Sequence, residues 1–246
     1  MNSVQPPTEA ILSLHRLTVG NPTLVHKLLR VYGSADKVLA DFDLQRSPVS
    51  PKQADKFLIE QHSDRHKRAL DDDLAWQAQP DQCVLVFATA EYPDQLLHLP
   101  DPPLALFVKG HQALLSQEQI AIVGSRRASP NGLSIAEKFA SELAAYGFVI
   151  TSGMALGIDA AAHRGTLAAG GATIAVQAIG AGNIYPRRHE KLAVNILKSG
   201  CLVTEFPTGV SAHSYHFPQR NRIVTGLSRG TLVVEASQKS GSLISA

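Results

Sequence analysis

At 246 residues with 44% apolar side chains, the chain can bury a sizeable core and divide into one large and one small domain, which excludes a disordered or fibrous protein. The N terminus has no basic leader or apolar signal stretch, no run approaches the roughly 18 apolar residues of a membrane helix, and the two cysteines, Cys83 and Cys201, lie far apart with no CxxC partner. A cytoplasmic chain in a reducing compartment is expected, with no membrane, no disulfide framework and no metal centre. The net charge of +2 hides an asymmetry, since residues 1–120 sum to −4 and residues 121–246 to +6; the basic half points to a polyanionic partner or to charges scattered for solubility.

In chain order, residues 8–70 read as short helices. Asn21 and Pro22 open a helix through "NPTLVHKLLRVYG", with Leu24, Leu28 and Val31 at helical spacing and Gly33 at its end. The Gly-containing turn between short helices is typical of small helical modules that contact a nucleic-acid backbone. The acidic "DDDLAW" nearby favours packing or partner contact instead. The division expected is a helical module over 1–75 and a second domain over 81–246. Residues 81–118 carry two strand-length runs, "CVLVF" and "LALFVKG", and their four intervening prolines favour edge strands and turns over a long helix.

From Gln119 the pattern is regular: "QIAIVG", "FVITSG", "TIAVQAIG", "CLVTEFP" and "TLVVEAS" are β-branched apolar runs separated by helical or turn-rich segments. Such alternation predicts an α/β domain, a Rossmann-like parallel sheet with helices on both faces. Its first helix is expected to start at Ser129 and Pro130, to bury Leu133, Ala136, Phe139, Leu143 and Tyr146, and to end at Gly147.

Ligands of these folds sit at the carboxyl ends of the strands. There the chain places "GSRR", "SGMALGIDAAAH", "GAGNIYPRRH", "EFPTG" and "EASQKSGSLISA", with Arg126, Arg127, Arg187, Arg188 and Lys239 as a basic rim. Glycines and helix N-termini at such turns expose backbone donors to an anion. There is no GxxxxGK[ST] loop and no GxGxxG, so neither nucleotide hydrolysis nor dinucleotide binding is expected and no cofactor is implied. Asp159 and His163, four apart on one helix face, read as a local hydrogen bond or an acid–base pair. His213 and His216 lack a third ligand for a metal.

The ordered series "AIVGSRRAS", "GFVITSGMALGIDAAAH", "GAGNIYP", "VTEFPTG", "HFPQRNRIVTGLS" and "VVEASQKSGSL" resembles the DNA-processing protein A family, also called Smf, over residues 83–246. The resemblance implies an extended Rossmann domain and a non-catalytic protein of natural transformation and recombination. Such a protein binds single-stranded DNA and helps load the RecA recombinase onto it. It also implies a homodimer in the full-length protein. The chain stops within "SGSLISA", where the family continues, so the expectation is a fragment whose RecA and dimer surfaces lie partly beyond it.

On this resemblance the DNA-binding positions are Gly124, Ser125, Arg126, Arg127, Ser152, Gly153, Gly157, Arg187, Phe217, Arg220, Asn221, Arg222, Lys239, Ser240 and Gly241. Arg220 and Arg222 would meet phosphates, Asn221 would fix a turn or a base edge, and Phe217 would stack on a base. An internal salt-bridge network with Glu205 and Glu235 is the competing use of the arginines. The alternative function is a nucleoside monophosphate hydrolase of the lysine-decarboxylase-like group, whose "GT…E" element is comparable with "SRGTLVVEA".

Overall fold

The computed structural model describes residues 9–43 and 47–236. Five helices come first: α1 (Glu9–Thr18), α2 (Pro22–Tyr32), α3 (Ala35–Ala40), α4 (Pro51–Gln61) and α5 (Asp64–Gln77). Asn21 caps α2 by accepting from the Leu24 N–H, and Gly33 closes it at φ 87°, the left-handed conformation that costs glycine least. The face of α2 that packs is Val25, Leu28 and Tyr32, one step round from the expected Leu24, Leu28 and Val31. These residues join Leu14, Val38 and Phe57 in one cluster, which Leu104, just before β2, enters.

Among the described residues the sheet has seven strands, β1 (Gln82–Val86), β2 (Ala105–Gly110), β3 (Gln119–Gly124), β4 (Val149–Gly153), β5 (Thr173–Val176), β6 (Cys201–Thr204) and β7 (Gly230–Val234), in the order β1-β2-β6-β5-β4-β3-β7. Strands β7, β3, β4, β5 and β6 run parallel, as expected from their alternation with helices. The sheet is nevertheless mixed, because β2 joins β6 antiparallel and β1 joins β2 antiparallel. The proline-rich link between β1 and β2 holds only the single helical turn α6 (Asp94–Leu97), and no full crossover helix of the kind that usually joins parallel neighbours.

The period of two along each strand divides the core. Leu106, Val108, Val176 and Val203 point to the side covered by α10 (His216–Gly226), whose Ile223, Val224 and Leu227 pack on them. Ile122 and Ile150 point to the other side, under α7 (Pro130–Ala145) and α8 (Ile158–Ala168), and Ala175 and Leu202 lie there under α9 (Glu190–Ile196).

Helix α7 starts where expected, with Ser129 accepting from the Gly132 N–H and Pro130 in the first turn. Leu133, Ala136 and Leu143 pack on the core as expected, together with Ala140, but Phe139 is exposed and Tyr146 is 81% exposed. The reason is the close approach of α8: a Cβ added to Gly165 would lie 2.2 Å from the Glu137 carbonyl oxygen. At that spacing only small side chains fit between the helices.

One acidic residue of "DDDLAW" is interior. Asp73 is fully buried and accepts from Arg16 Nε and Nη2 at 2.5 and 2.8 Å, and from the Thr208 N–H and hydroxyl at 2.9 Å each. It thus ties α1 and α5 to the turn after β6. Asp73→Ala should lower stability by about 3–5 kcal/mol, because the Arg16 charge and a buried N–H lose their acceptor together; a melting temperature equal to wild type would contradict this role.

Candidate nucleic-acid interface

The carboxyl ends of β3, β4 and β5 and the start of α10 enclose a cleft of about 100 Å³ lined by Arg126, Met154, Gln177, Tyr185, Phe217 and Arg220, among others. Arg126 follows β3 and is exposed; its guanidinium carbon lies 4.6 Å from the centre of the Phe217 ring, within cation–π range. The Tyr185 ring lies 5.9 Å from that of Phe217, and Tyr185 is 47% exposed. Together they form a cationic and aromatic surface, with the two rings tilted 52° to each other.

Arg220 forms the floor. It is 5% exposed, its Nη1 donates to the Val176 carbonyl at 2.5 Å and its Nε to Asn221 Oδ1 at 3.1 Å. Gly153 makes room for it, since a Cβ there would lie 2.0 Å from Nη1. Burial pulls the Arg220 pKa below its ordinary value and the Asp159 carboxylate opposes that pull. Asp159 is itself buried, and burial pushes its pKa up, with Arg220 as the main counterweight. Asp159 accepts from the Ala155 N–H at 3.2 Å, whereas His163 pairs with the Thr173 hydroxyl at 2.7 Å and burial lowers its pKa to about 3. The two residues therefore have separate partners and form no acid–base pair. Met154, at the tip of β4, has φ 47°, a conformation unusual for a side-chain-bearing residue, and it turns the backbone into the cleft.

The expected positions divide into groups. Ser125, Arg126, Arg127, Arg187, Phe217 and Asn221 are at least partly exposed. Arg126, Arg127, Arg187 and Arg188 form no ion pair among the described residues. Ser152 is a correction: it is fully buried and its hydroxyl donates to the Ile122 carbonyl at 2.5 Å, so it faces the sheet and not a ligand. Gly124 and Gly157 serve chain crossing. A Cβ at Gly124 would lie 1.9 Å from the Val234 oxygen, and one at Gly157 would lie 2.1 Å from the Ser125 oxygen. Lys239, Ser240 and Gly241 lie outside the described residues. Sequence reasoning passed over Tyr185, whose signal was an aromatic side chain directly after a Gly-rich strand end.

Arg222 is the second correction. It points to the opposite side of α10 from Arg220 and pairs with Glu205 through Nη2, with Asp101 at 3.7 Å from its Nε. Residues two apart on a helix lie about 200° apart, so one face cannot hold both. Glu235 takes no part in this pair and instead accepts from the Ser129 N–H and hydroxyl at the start of α7, which lowers its pKa.

Burial pushes the Glu205 pKa up to about 7, and Arg222 pulls it the other way. A carboxyl raised in the folded state contributes stability that is present below its unfolded pKa and lost as pH rises through the folded one. Arg222→Ala removes the downward pull, so the stability it loses, about 3–5 kcal/mol for a buried charge left alone, should be felt most above neutrality. The melting-temperature gap between wild type and variant should widen from about pH 6 to about pH 8; a gap independent of pH would mean that Glu205 does not titrate there.

Residues 83–246 match the family described as DNA recombination-mediator protein A. The chain is 43% identical over 204 residues to Protein Smf of Escherichia coli K12, covering 82% of this chain and 53% of that protein. It is 42% identical over 160 residues to DNA processing protein DprA of Bacillus subtilis, covering 65% and 54%. The chain thus spans about half the length of these curated relatives. The crystal structure of DNA processing protein A from Streptococcus pneumoniae superposes with a TM-score of 0.79 at 32% identity, over 98% of this chain and 82% of that one. DNA processing protein A from Helicobacter pylori, a structure concerned with its single-stranded DNA binding mode, gives 0.60 at 32% identity, over 66% and 74%. The chain belongs to the DNA recombination-mediator protein A family.

Proposed function

We propose that the chain binds single-stranded DNA in the cleft at the carboxyl ends of β3, β4 and β5, without catalysis, as a DNA-processing protein of recombination. The observation that carries this reading is the stacked pair of Arg126 and Phe217, flanked by Tyr185 and floored by Arg220. A guanidinium supplies charge for a phosphate and a flat face for a base, and aromatic rings stack on bases of any sequence. The described relative that binds single-stranded DNA, from Helicobacter pylori, shares the fold. Arg127 and Arg187 extend the cationic path, and Gly153 and Gly157 shape it. Contact with the RecA recombinase, a homodimer of the full-length protein, a cytoplasmic location and a division of labour between residues 1–75 and 81–246 belong to the same proposal. The hydrolase alternative has less support, because Glu235, the acidic residue of the "GT…E" element, is held by Ser129.

Fluorescence anisotropy of oligo-dT against an equally long duplex tests the reading. Single strands should bind better, and Arg126→Ala should flatten the slope of log affinity against log salt by roughly 0.7 with the melting temperature unchanged. Phe217→Ala should cost about 1–3 kcal/mol of affinity and leave the slope intact. Arg222→Ala should also leave the slope intact, since its guanidinium faces Glu205. Tighter binding of duplex, or release of a base from nucleoside monophosphates that Glu235→Gln abolishes, would overturn the proposal.

A further inference from the structure

The segment that leads from β6 into α10 carries a group of aromatic rings beside the cleft. The His213 and Tyr215 rings are stacked, with centres 5.3 Å apart and planes 6° from parallel. His216 meets both nearly at right angles, its ring centre 5.2 Å from that of His213 and 4.5 Å from that of Tyr215. It is itself buried and stacked on the buried Phe206 at 4.0 Å. Two interior rings thus hold two surface rings, for His213 is exposed and Tyr215 is 58% exposed. An aromatic side chain left this far in water forgoes the burial that normally stabilises it. Because its neighbours already fix its orientation, a ligand that stacks on it incurs little ordering cost.

We infer that the His213–Tyr215 pair is a second stacking platform, on which a base of the bound strand rests beyond the Arg126–Phe217 surface. The inference rests on the DNA-binding reading. Continuity with the cleft sets its place. Tyr215 and Phe217 are two residues apart, so their Cα atoms lie within about 7 Å of each other. Rotation of about 200° along α10 puts them on opposite sides of its first turn, and a strand that crosses this turn meets one after the other. His216, between them, lies against the backbone of Ala178 in the cleft wall. Charge leaves the way open, since no acidic residue occurs between Glu205 and Glu235 to repel phosphates from this segment or from α10. Size favours a base over a protein partner. Exposed Ser211 and Ser214 flank the rings, so the apolar surface is about as wide as a base and far short of a protein interface.

Anisotropy of labelled oligo-dT tests the inference at an exposed position, where substitution should leave the melting temperature unchanged. Tyr215→Ala should weaken binding about 5- to 150-fold, the range for one lost base–aromatic stack. Tyr215→Phe keeps the ring and should bind like wild type, and the slope of log affinity against log salt should be the same in both variants. Tyr215→Trp adds a surface indole to the buried Trp76. Its emission should be quenched saturably by oligo-dT, but not by an abasic strand of equal length at equal occupancy. Wild-type affinity in Tyr215→Ala, beside a weakened Phe217→Ala, would overturn the inference, leave the DNA-binding reading standing and turn the pair over to a protein partner. Equal losses in Tyr215→Ala and Tyr215→Phe, or quenching by the abasic strand, would also overturn it, because neither needs a stacked base. Absence of strand binding by the wild-type protein would overturn the reading and the inference together.

Discussion

Glu205 is taken out of water at the carboxyl end of β6, and a buried carboxyl group persists only where partners offset its desolvation. Its side chain meets Arg222 of α10, and its backbone carbonyl accepts from His15 of α1 at 2.7 Å. Burial lowers the His15 pKa to about 4, so the imidazole that makes this bond is neutral at physiological pH. One residue therefore anchors both the helix that lines the cleft and the helical layer on which the sheet's other edge rests. Asp73 makes a similar junction at Thr208, just beyond Glu205, which it joins to Arg16. The two junctions bracket the strand-to-helix passage after β6 and fix where α10 begins.

With α10 fixed, its two arginines divide the work. Arg222 on one side pairs with Glu205 in the interior, and Arg220 on the other forms the floor of the cleft beside Arg126 and Phe217. The glycines of the strand ends have a corresponding role. Gly124 and Gly157 let backbone segments cross, and Gly153 accepts the Arg220 side chain. Their contribution to a ligand site is indirect: they make room for backbone and for one buried guanidinium.

The parallel strands were legible because each is a continuous β-branched run, a local property that needs no knowledge of neighbours. Strand direction at the β1–β2 edge was not, since a run of apolar residues carries no information about its partner. The α7 stripe misled for a related reason. Phe139 and Tyr146 fit helical periodicity, but the helix spacing that excludes them is set by Gly165 on another element. Arg126 and Phe217 could be picked from the motifs, but not their stacking. The opposed directions of Arg220 and Arg222 were within reach: had "HFPQRNRIVTG" been read as a helix, rotation of about 100° per residue would have separated them.

The cleft's electrostatics follow from this separation and not from the number of basic residues. The charges of Arg126, Arg220 and Asp159 lie close together, and burial works against the charged forms of both Arg220 and Asp159. Asp159 offsets one positive charge beneath the floor, so the excess presented outward is that of Arg126, with Arg127 and Arg187 along the rim. A buried cation held by a carbonyl and a nearby carboxylate cannot relax when an anion arrives. Preorganisation of this kind removes the ordering cost that a mobile surface lysine would incur on binding. On the proposed reading the exposed arginines would set the salt dependence, and the buried one the shape.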